Sequence, residues 1–270
     1  MPRISVIVPT LNEGRYIGNL LTSLEKQDYR DFEVIVVDGG STDKTLAISE
    51  AFGAHTLILP KCREYPSRNK AAETATGDIL LFTGADVIFP EDLLHNIVRE
   101  FENPKLLAVA GPGIPYDARL TFKTVFFIYN SARWFFAHLP RPFKRFSSST
   151  NLLAVRKEAF EAVGGIDSKG ESSEYDVNAD GMLGKKLCAN GLVRFSFFRV
   201  RAYASARRIT SMGGVRFTIH FLYVLENFFP FLSRSALIRK VKDHSGQIHS
   251  QMRMKDAADS DNPSKDLMPQ

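Results

Sequence analysis

With 270 residues, 44% of them hydrophobic and 24% charged, the chain can bury one large core, or one core and a smaller lobe, and its composition excludes disorder over most of its length. A formal net charge of +5 suits phosphorylated substrates, anionic membrane surfaces or nucleic acid, without choosing among them. The two cysteines, Cys62 and Cys188, are too far apart in sequence for a metal-ligand motif and fit free thiols in a reducing compartment.

The first half alternates strand and helix signals. Residues 4–8 read Ile-Ser-Val-Ile-Val, a β-branched run expected of a strand buried on both faces. The run is too short for a signal peptide, so the expected location is the cytoplasm, up to the cytoplasmic face of the membrane. Ile17, Leu20, Leu21 and Leu24 fall at i, i+3, i+4 and i+7, one apolar helix face. Residues 34–37 are a second buried strand. In the helix that follows, Ser41 and Thr42 offer caps, Asp43 suits the positive end and Gly53 the stop. Residues 56–59 read as a third strand and 67–76 as a helix closed by Gly77. Residues 79–82 are a fourth strand, 90–101 a helix with Glu91 and Asp92 in its first turn, and 107–110 another strand. This order predicts an α/β fold with a doubly wound, mostly parallel sheet. Ligands of such sheets sit at the carboxyl ends of the strands, here the polar stretches 10–13, 38–43 and 83–86.

The second half changes character. Residues 122–139 carry Phe122, Phe126, Phe127, Tyr129, Trp134, Phe135 and Phe136, and the basic Arg141, Lys144 and Arg145 follow. Residues 150–155 suit a strand, Gly164-Gly165 a turn, and 180–189 a helix stopped by Gly191. From Arg194 to Arg216 there are six arginines and no acidic residue. Residues 217–232 are apolar except for interruptions such as His220, Glu226 and Pro230. The stretch after them is polar, with the composition of a mobile tail.

Three strand ends carry chemistry. Asp38 precedes Gly39-Gly40-Ser41-Thr42-Asp43, where glycines permit tight turning and close approach of a ligand. Its carboxylate can accept from a base or a ribose hydroxyl, or the stretch can be a plain turn and helix cap. Asp86, in Thr83-Gly84-Ala85-Asp86, suits a divalent cation that also grips a diphosphate, since magnesium needs only one or two protein carboxylates. Arg68 can pair with a phosphate or a strand-end carboxylate, or lie on a solvated face.

Together these clusters resemble, in order and spacing, the family 2 inverting glycosyltransferases of GT-A fold. Pro9-Thr10-Leu11-Asn12-Glu13 is similar to the opening motif. Val36-Val37-Asp38-Gly39-Gly40-Ser41-Thr42-Asp43 is similar to the second and most specific one. Ser67-Arg68-Asn69 with Ala75-Thr76-Gly77-Asp78 leads to the metal motif, whose place is taken by Phe82-Thr83-Gly84-Ala85-Asp86-Val87. Gly164-Gly165-Ile166-Asp167 resembles the acceptor-side turn, and Asn178-Ala179-Asp180-Gly181-Met182-Leu183-Gly184 the Glu-Asp-x-x-Leu segment. The resemblance covers about residues 4–190. It implies that Pro9, Thr10, Glu13, Asp38, Arg68 and Asp86 bind the nucleotide sugar, with Arg207 and Arg208 in a basic loop near the diphosphate. It further implies that Asp86 holds a magnesium or manganese ion and that Asp180 is the catalytic base. Two departures stand out: Gly84 replaces an acidic residue of the metal motif, and Ala179-Asp180 replaces an acidic pair. The divisions that follow are 1–115 for the donor half, 116–210 for the acceptor half of the same domain, 211–240 for an apolar, membrane-interfacial helix and 241–270 for a polar tail.

Neither apolar segment suits a membrane span of about 20 apolar residues. Residues 122–139 include Lys123, Asn130, Arg133 and His138. An interfacial helix with basic flanks fits, as does a hydrophobic core or dimer face. The interfacial reading brings peripheral membrane contact and an acceptor such as polyprenyl phosphate or a lipid-linked glycan, with Arg141, Lys144 and Arg145 toward headgroup phosphates. A sugar nucleotidyltransferase is the rival enzyme, but Thr10-Leu11-Asn12-Glu13-Gly14-Arg15 holds one glycine and not the glycine-rich phosphate loop such an enzyme needs. A non-catalytic nucleotide-sugar-binding relative is the other alternative. No nucleic-acid module accompanies the arginines, and no nucleic-acid partner is expected.

Overall fold

Strand runs and helix faces assemble as an α/β fold in the computed structural model, which describes residues 1–140, 144, 146, 151–167 and 179–207. In chain order the elements are β1 (Ile4–Thr10), α1 (Ile17–Glu25), β2 (Phe32–Asp38), α2 (Thr45–Ala51), β3 (His55–Ile58), α3 (Glu64–Thr74), β4 (Ile79–Thr83), β5 (Val87–Ile88), α4 (Leu93–Glu100), β6 (Leu106–Ala110), β7 (Gly113–Pro115), α5 (Leu120–His138), β8 (Leu152–Arg156), α6 (Lys157–Ala162), α7 (Ala179–Asn190), β9 (Leu192–Phe195) and β10 (Ala202–Ala204). A seven-stranded sheet has the order β3-β2-β1-β4-β8-β6-β9, and a three-stranded sheet the order β5-β10-β7. In the large sheet only β8 runs against its neighbours, β4 and β6. Strand side chains alternate between two cores, as the period of two requires. Ile4, Val6, Val8, Ile79 and Leu81 pack with α1 and α4 on one face. Ile7, Leu80 and Phe82 pack on the other with Ala71 and Ala72 of α3, Phe160 of α6 and Leu183 and Leu187 of α7. The expected doubly wound sheet is therefore present. Residues 116–207 complete the same sheet rather than forming a lobe of their own.

Several boundaries differ from the sequence reading. The helix expected at 67–76 begins three residues earlier, at Glu64, and ends at Thr74. The one expected at 90–101 starts at Leu93, so Glu91 and Asp92 precede its first turn. Asp92 is the N-cap, with its carboxylate on the Asn96 side-chain amide. Ser41 and Thr42 do not cap α2. Asp43 does that work, accepting the Thr45 backbone N–H at 2.9 Å, while Ser41 turns back to Asp38. The stop at Gly53 stands, in the left-handed region at φ +72°. The chain divides into one unit at Met1–Arg207 and another at Arg208–Gln270. Arg208, Arg141, Arg145, the apolar segment expected at 211–240 and the tail expected at 241–270 lie outside the described residues. Among the described residues no helix is long and apolar enough to cross a membrane.

Gly111 sets how closely the two sheets join. A Cβ built there would lie 1.6 Å from the Val200 carbonyl oxygen, just ahead of β10. Gly111→Ala must push that backbone away, and with it the strand leading to Arg207. We expect a loss at or above the upper end of the ~1–3 kcal/mol that overpacking costs, read as a lower denaturant midpoint.

Candidate active site

The loops after β1 and β2 are laced together. Thr10 and Asp38 are register partners at the two strand ends. The Thr10 hydroxyl donates to Asp38 Oδ2 at 3.0 Å, and the Ser41 hydroxyl to the same oxygen at 2.5 Å. Asp38 Oδ1 accepts the backbone N–H groups of Gly40 and Ser41 at 2.9 and 2.7 Å. Asp38 is fully buried, so this carboxylate holds the Gly-Gly loop in shape. Asn12, at φ +54°, takes the left-handed conformation that asparagine tolerates. Its side-chain oxygen accepts the Thr42 N–H at 2.9 Å, while its own N–H donates to Ser41 Oγ at 2.8 Å. Gly14 N–H donates to Asp43 at 2.9 Å.

This frame presents Glu13 to a cation from the far end of the described chain. An Arg207 guanidinium nitrogen contacts both carboxylate oxygens of Glu13 at 2.6 Å, and Arg207 Nε lies 3.3 Å from Asp86 Oδ2. The guanidinium also stands 4.0 Å from the centre of the Tyr16 ring. Burial alone would pull the Arg207 pKa down. Glu13 and Asp86 more than offset it and raise the pKa, so the charge is fixed at any working pH. The segment bearing Arg207 is itself pinned. Asp117 accepts the Ser205 hydroxyl at 2.5 Å and the Ala206 N–H at 2.6 Å, and Ser205 N–H donates to the Asp86 carbonyl at 2.9 Å.

Asp86 follows β4, two residues after Gly84. A Cβ on Gly84 would lie 3.0 Å from Asp86 Oδ1 and 3.4 Å from Asn151 Oδ1, so both oxygens converge over this glycine. The donor set is of hard oxygens, which suits magnesium or manganese. No group of three or more His, Cys, Asp or Glu that could hold a metal occurs among the described residues. A cation here would thus rest on Asp86 and on phosphate oxygens of a substrate, the usual arrangement for magnesium.

Arg68 is fully buried. It donates to the Thr83 carbonyl at the end of β4 at 3.0 Å and pairs with Glu64, one helical turn earlier, at 2.9 Å. It therefore ties α3 to the floor of the site. Pro9 lies in β1 beside Val37. Asp180 sits in the first turn of α7, and its carboxylate attracts the buried guanidinium of Arg133 in α5. Burial lowers the Arg133 pKa, against the pull of Tyr129 and Asp180. Arg133 also donates to Asn130 at 3.1 Å and lies 4.5 Å from the Phe195 ring.

Residues 5–164, more than half of the chain, match the family described as glycosyl transferase family 2. The chain belongs to that family. An uncharacterized glycosyltransferase of Bacillus subtilis, YfnE, is 38% identical over 115 residues, 40% of this chain and 29% of the relative. The poly(ribitol-phosphate) β-N-acetylglucosaminyltransferase TarS of Staphylococcus aureus is 37% identical over 130 residues, 43% of this chain and 23% of TarS. The matched segments thus span about a third or less of these curated relatives. Among solved structures, a mannosyltransferase of Pyrobaculum calidifontis in complex with GDP-Man and Mn2+ superposes with a TM-score of 0.64 at 24% identity, over 96% of this chain and 74% of that one. TarS residues 1–349 with UDP gives a TM-score of 0.59 at 21% identity, over 84% and 70%. The fold is GT-A.

Within this family 2 chain, the structure brings Thr10 to Asp38, and Glu13 and Asp86 to Arg207. Sequence reasoning missed Tyr16, Asp117 and Asn151, and gave Asn69 of the Ser67-Arg68-Asn69 motif no role of its own. Asn69 grips Ile166 through both ends of its amide, at 2.8 and 3.0 Å, and so anchors the Gly164-Gly165 turn, whose φ values are +78° and +68°. Paired left-handed glycines signal a turn, but nothing in the sequence points to the asparagine that holds it.

Proposed function

We propose that this chain moves a sugar from a nucleoside-diphosphate sugar to an acceptor hydroxyl or phosphate, with inversion at the anomeric carbon. The observation that carries the reading is the Glu13–Arg207–Asp86 cluster set against the buried Thr10–Asp38 loop. It concentrates carboxylates and a fixed cation at the carboxyl ends of β1 and β4, where ligands of such sheets bind. The neighbours in complex with GDP-Man and Mn2+, and with UDP, support a nucleotide-sugar donor and a divalent cation. Pro9, Thr10, Glu13 and Asp38 shape the nucleotide side, and Arg68 stiffens the floor beneath it.

In the reaction, Asp180 takes the proton of the acceptor hydroxyl as its oxygen attacks the anomeric carbon. The bond to the diphosphate oxygen breaks on the opposite face, and its electron pair leaves on the phosphate. A single displacement inverts the centre. A divalent cation held by Asp86 would offset charge on the departing diphosphate, and Arg207, with Arg208 beside it in sequence, would add to that. Peripheral membrane contact on the cytoplasmic side would bring a lipid-linked acceptor, of the polyprenyl-phosphate kind, to the site.

The test is to incubate the chain with nucleotide sugars and candidate acceptors, following diphosphate release and the product anomer by NMR. Release with the opposite anomer is expected. A retained anomer would refute the single displacement, and tight donor binding without any release would favour the non-catalytic relative.

A further inference from the structure

A surface helix ordinarily buries an apolar stripe and exposes a polar one. α5 departs from that pattern on part of its surface. Its inward face carries Asn130, Arg133 and Ala137, at 4%, 2% and 3% exposure. Its outward face carries Leu120, Phe127, Ile128, Trp134 and Phe135, at 79%, 62%, 57%, 44% and 53%. These fall at i, i+7, i+8, i+14 and i+15, one stripe of a helix. The hydrophobic-core alternative for residues 122–139 therefore fails for this face. Phe198, 76% exposed, extends the patch: its ring lies 5.1 Å from Phe197, which meets Phe127 edge-on at 5.9 Å. Exposed contiguous aromatic surface of this kind marks an interaction site.

The charge around the patch says what covers it. No Asp or Glu occurs between Asp117 and Glu158, or between Asp180 and Glu226. Arg119, Lys123 and Arg199 are exposed beside the apolar stripe. A twofold pairing of two copies would set these like-charged groups against one another. An anionic surface is complementary to them. Lys144, expected from the sequence to face headgroup phosphates, donates its ammonium to the Val193 carbonyl at 3.0 Å.

We propose that the outward face of α5, continued by Phe198, docks on an anionic lipid surface, with the helix in the plane of the interface and its aromatic rings at headgroup depth. This deepens the lipid-acceptor part of the reading above and rests on it. It also uses this helix economically, since Arg133 on the inner face is the cation that attracts Asp180.

Trp134 is the only tryptophan of the chain, so its emission reports this face alone. The full chain is titrated with vesicles of phosphatidylcholine, with and without phosphatidylglycerol, following emission and co-sedimentation. The expected result is a blue shift and pelleting with the anionic vesicles, weak with neutral ones and reduced by salt. The double variant Phe127→Ser, Phe135→Ser keeps the reporter and alters two exposed side chains. It should lower partitioning by at least ~10-fold with an unchanged thermal midpoint. Three results would overturn the proposal: no shift or pelleting by the folded chain with any vesicle, a variant that binds as the parent does, or a vesicle-free blue shift that grows with concentration alongside a dimer mass. Donor binding is measured without vesicles, so failure of docking and failure of the transfer reading are separately visible.

Discussion

Asp180→Asn is expected to bind the donor as the parent chain does and to transfer sugar ~10²–10⁴-fold more slowly, the usual worth of a positioned general base. The substitution keeps shape, removes the capacity to take a proton and takes away the negative charge that attracts Arg133. Asp180 stands in the first turn of α7, a rigid element seated on the second core through Ala179, Leu183 and Leu187. Its carboxylate attracts the buried Arg133 guanidinium of α5. Single-turnover transfer with saturating donor, beside a donor titration, separates the two effects. Parent-like transfer would remove Asp180 from the base role.

Asp86→Ala is expected to weaken nucleotide-sugar binding by about 10- to 100-fold, what one charge-assisted contact of ~1.5–3 kcal/mol is worth. It should also erase any dependence of binding on manganese. Asp86 is 11% exposed and lies 3.3 Å from Arg207, and the same carboxylate is proposed to hold a divalent cation. Asp86→Asn is the control for geometry, because it keeps an oxygen near Gly84 and lowers the charge. Calorimetric titration with and without manganese reads both quantities. An unchanged metal response in Asp86→Ala would point to other ligands.

The donor half was legible because its central strands, β1 and β4, are buried on both faces. Every residue of Ile79–Thr83 is buried, and such strands appear in sequence as unbroken apolar runs. The strands of the small sheet are two or three residues long, and their partners are remote: Tyr203 pairs with Ile88, and Ala202 with Gly113. No periodicity develops over so few residues. The same distance hid the ion cluster. Asp38 and Asp86 announce themselves at strand ends, but the partner of Glu13 is 194 residues away and only the closed sheet brings it there. In α5 the aromatic count was plain, yet composition cannot tell which stripe of a helix faces outward. Burial of Asn130 and Arg133 decides that.

The ends of β1, β2 and β4 are proposed to hold a nucleoside diphosphate with a divalent cation. The most direct test is a thermal-shift screen of the purified chain against nucleoside diphosphates, with and without manganese. A raised midpoint is expected with one nucleoside diphosphate, and only when manganese is present. No shift with any nucleoside diphosphate, in a sample that unfolds cooperatively, would contradict it.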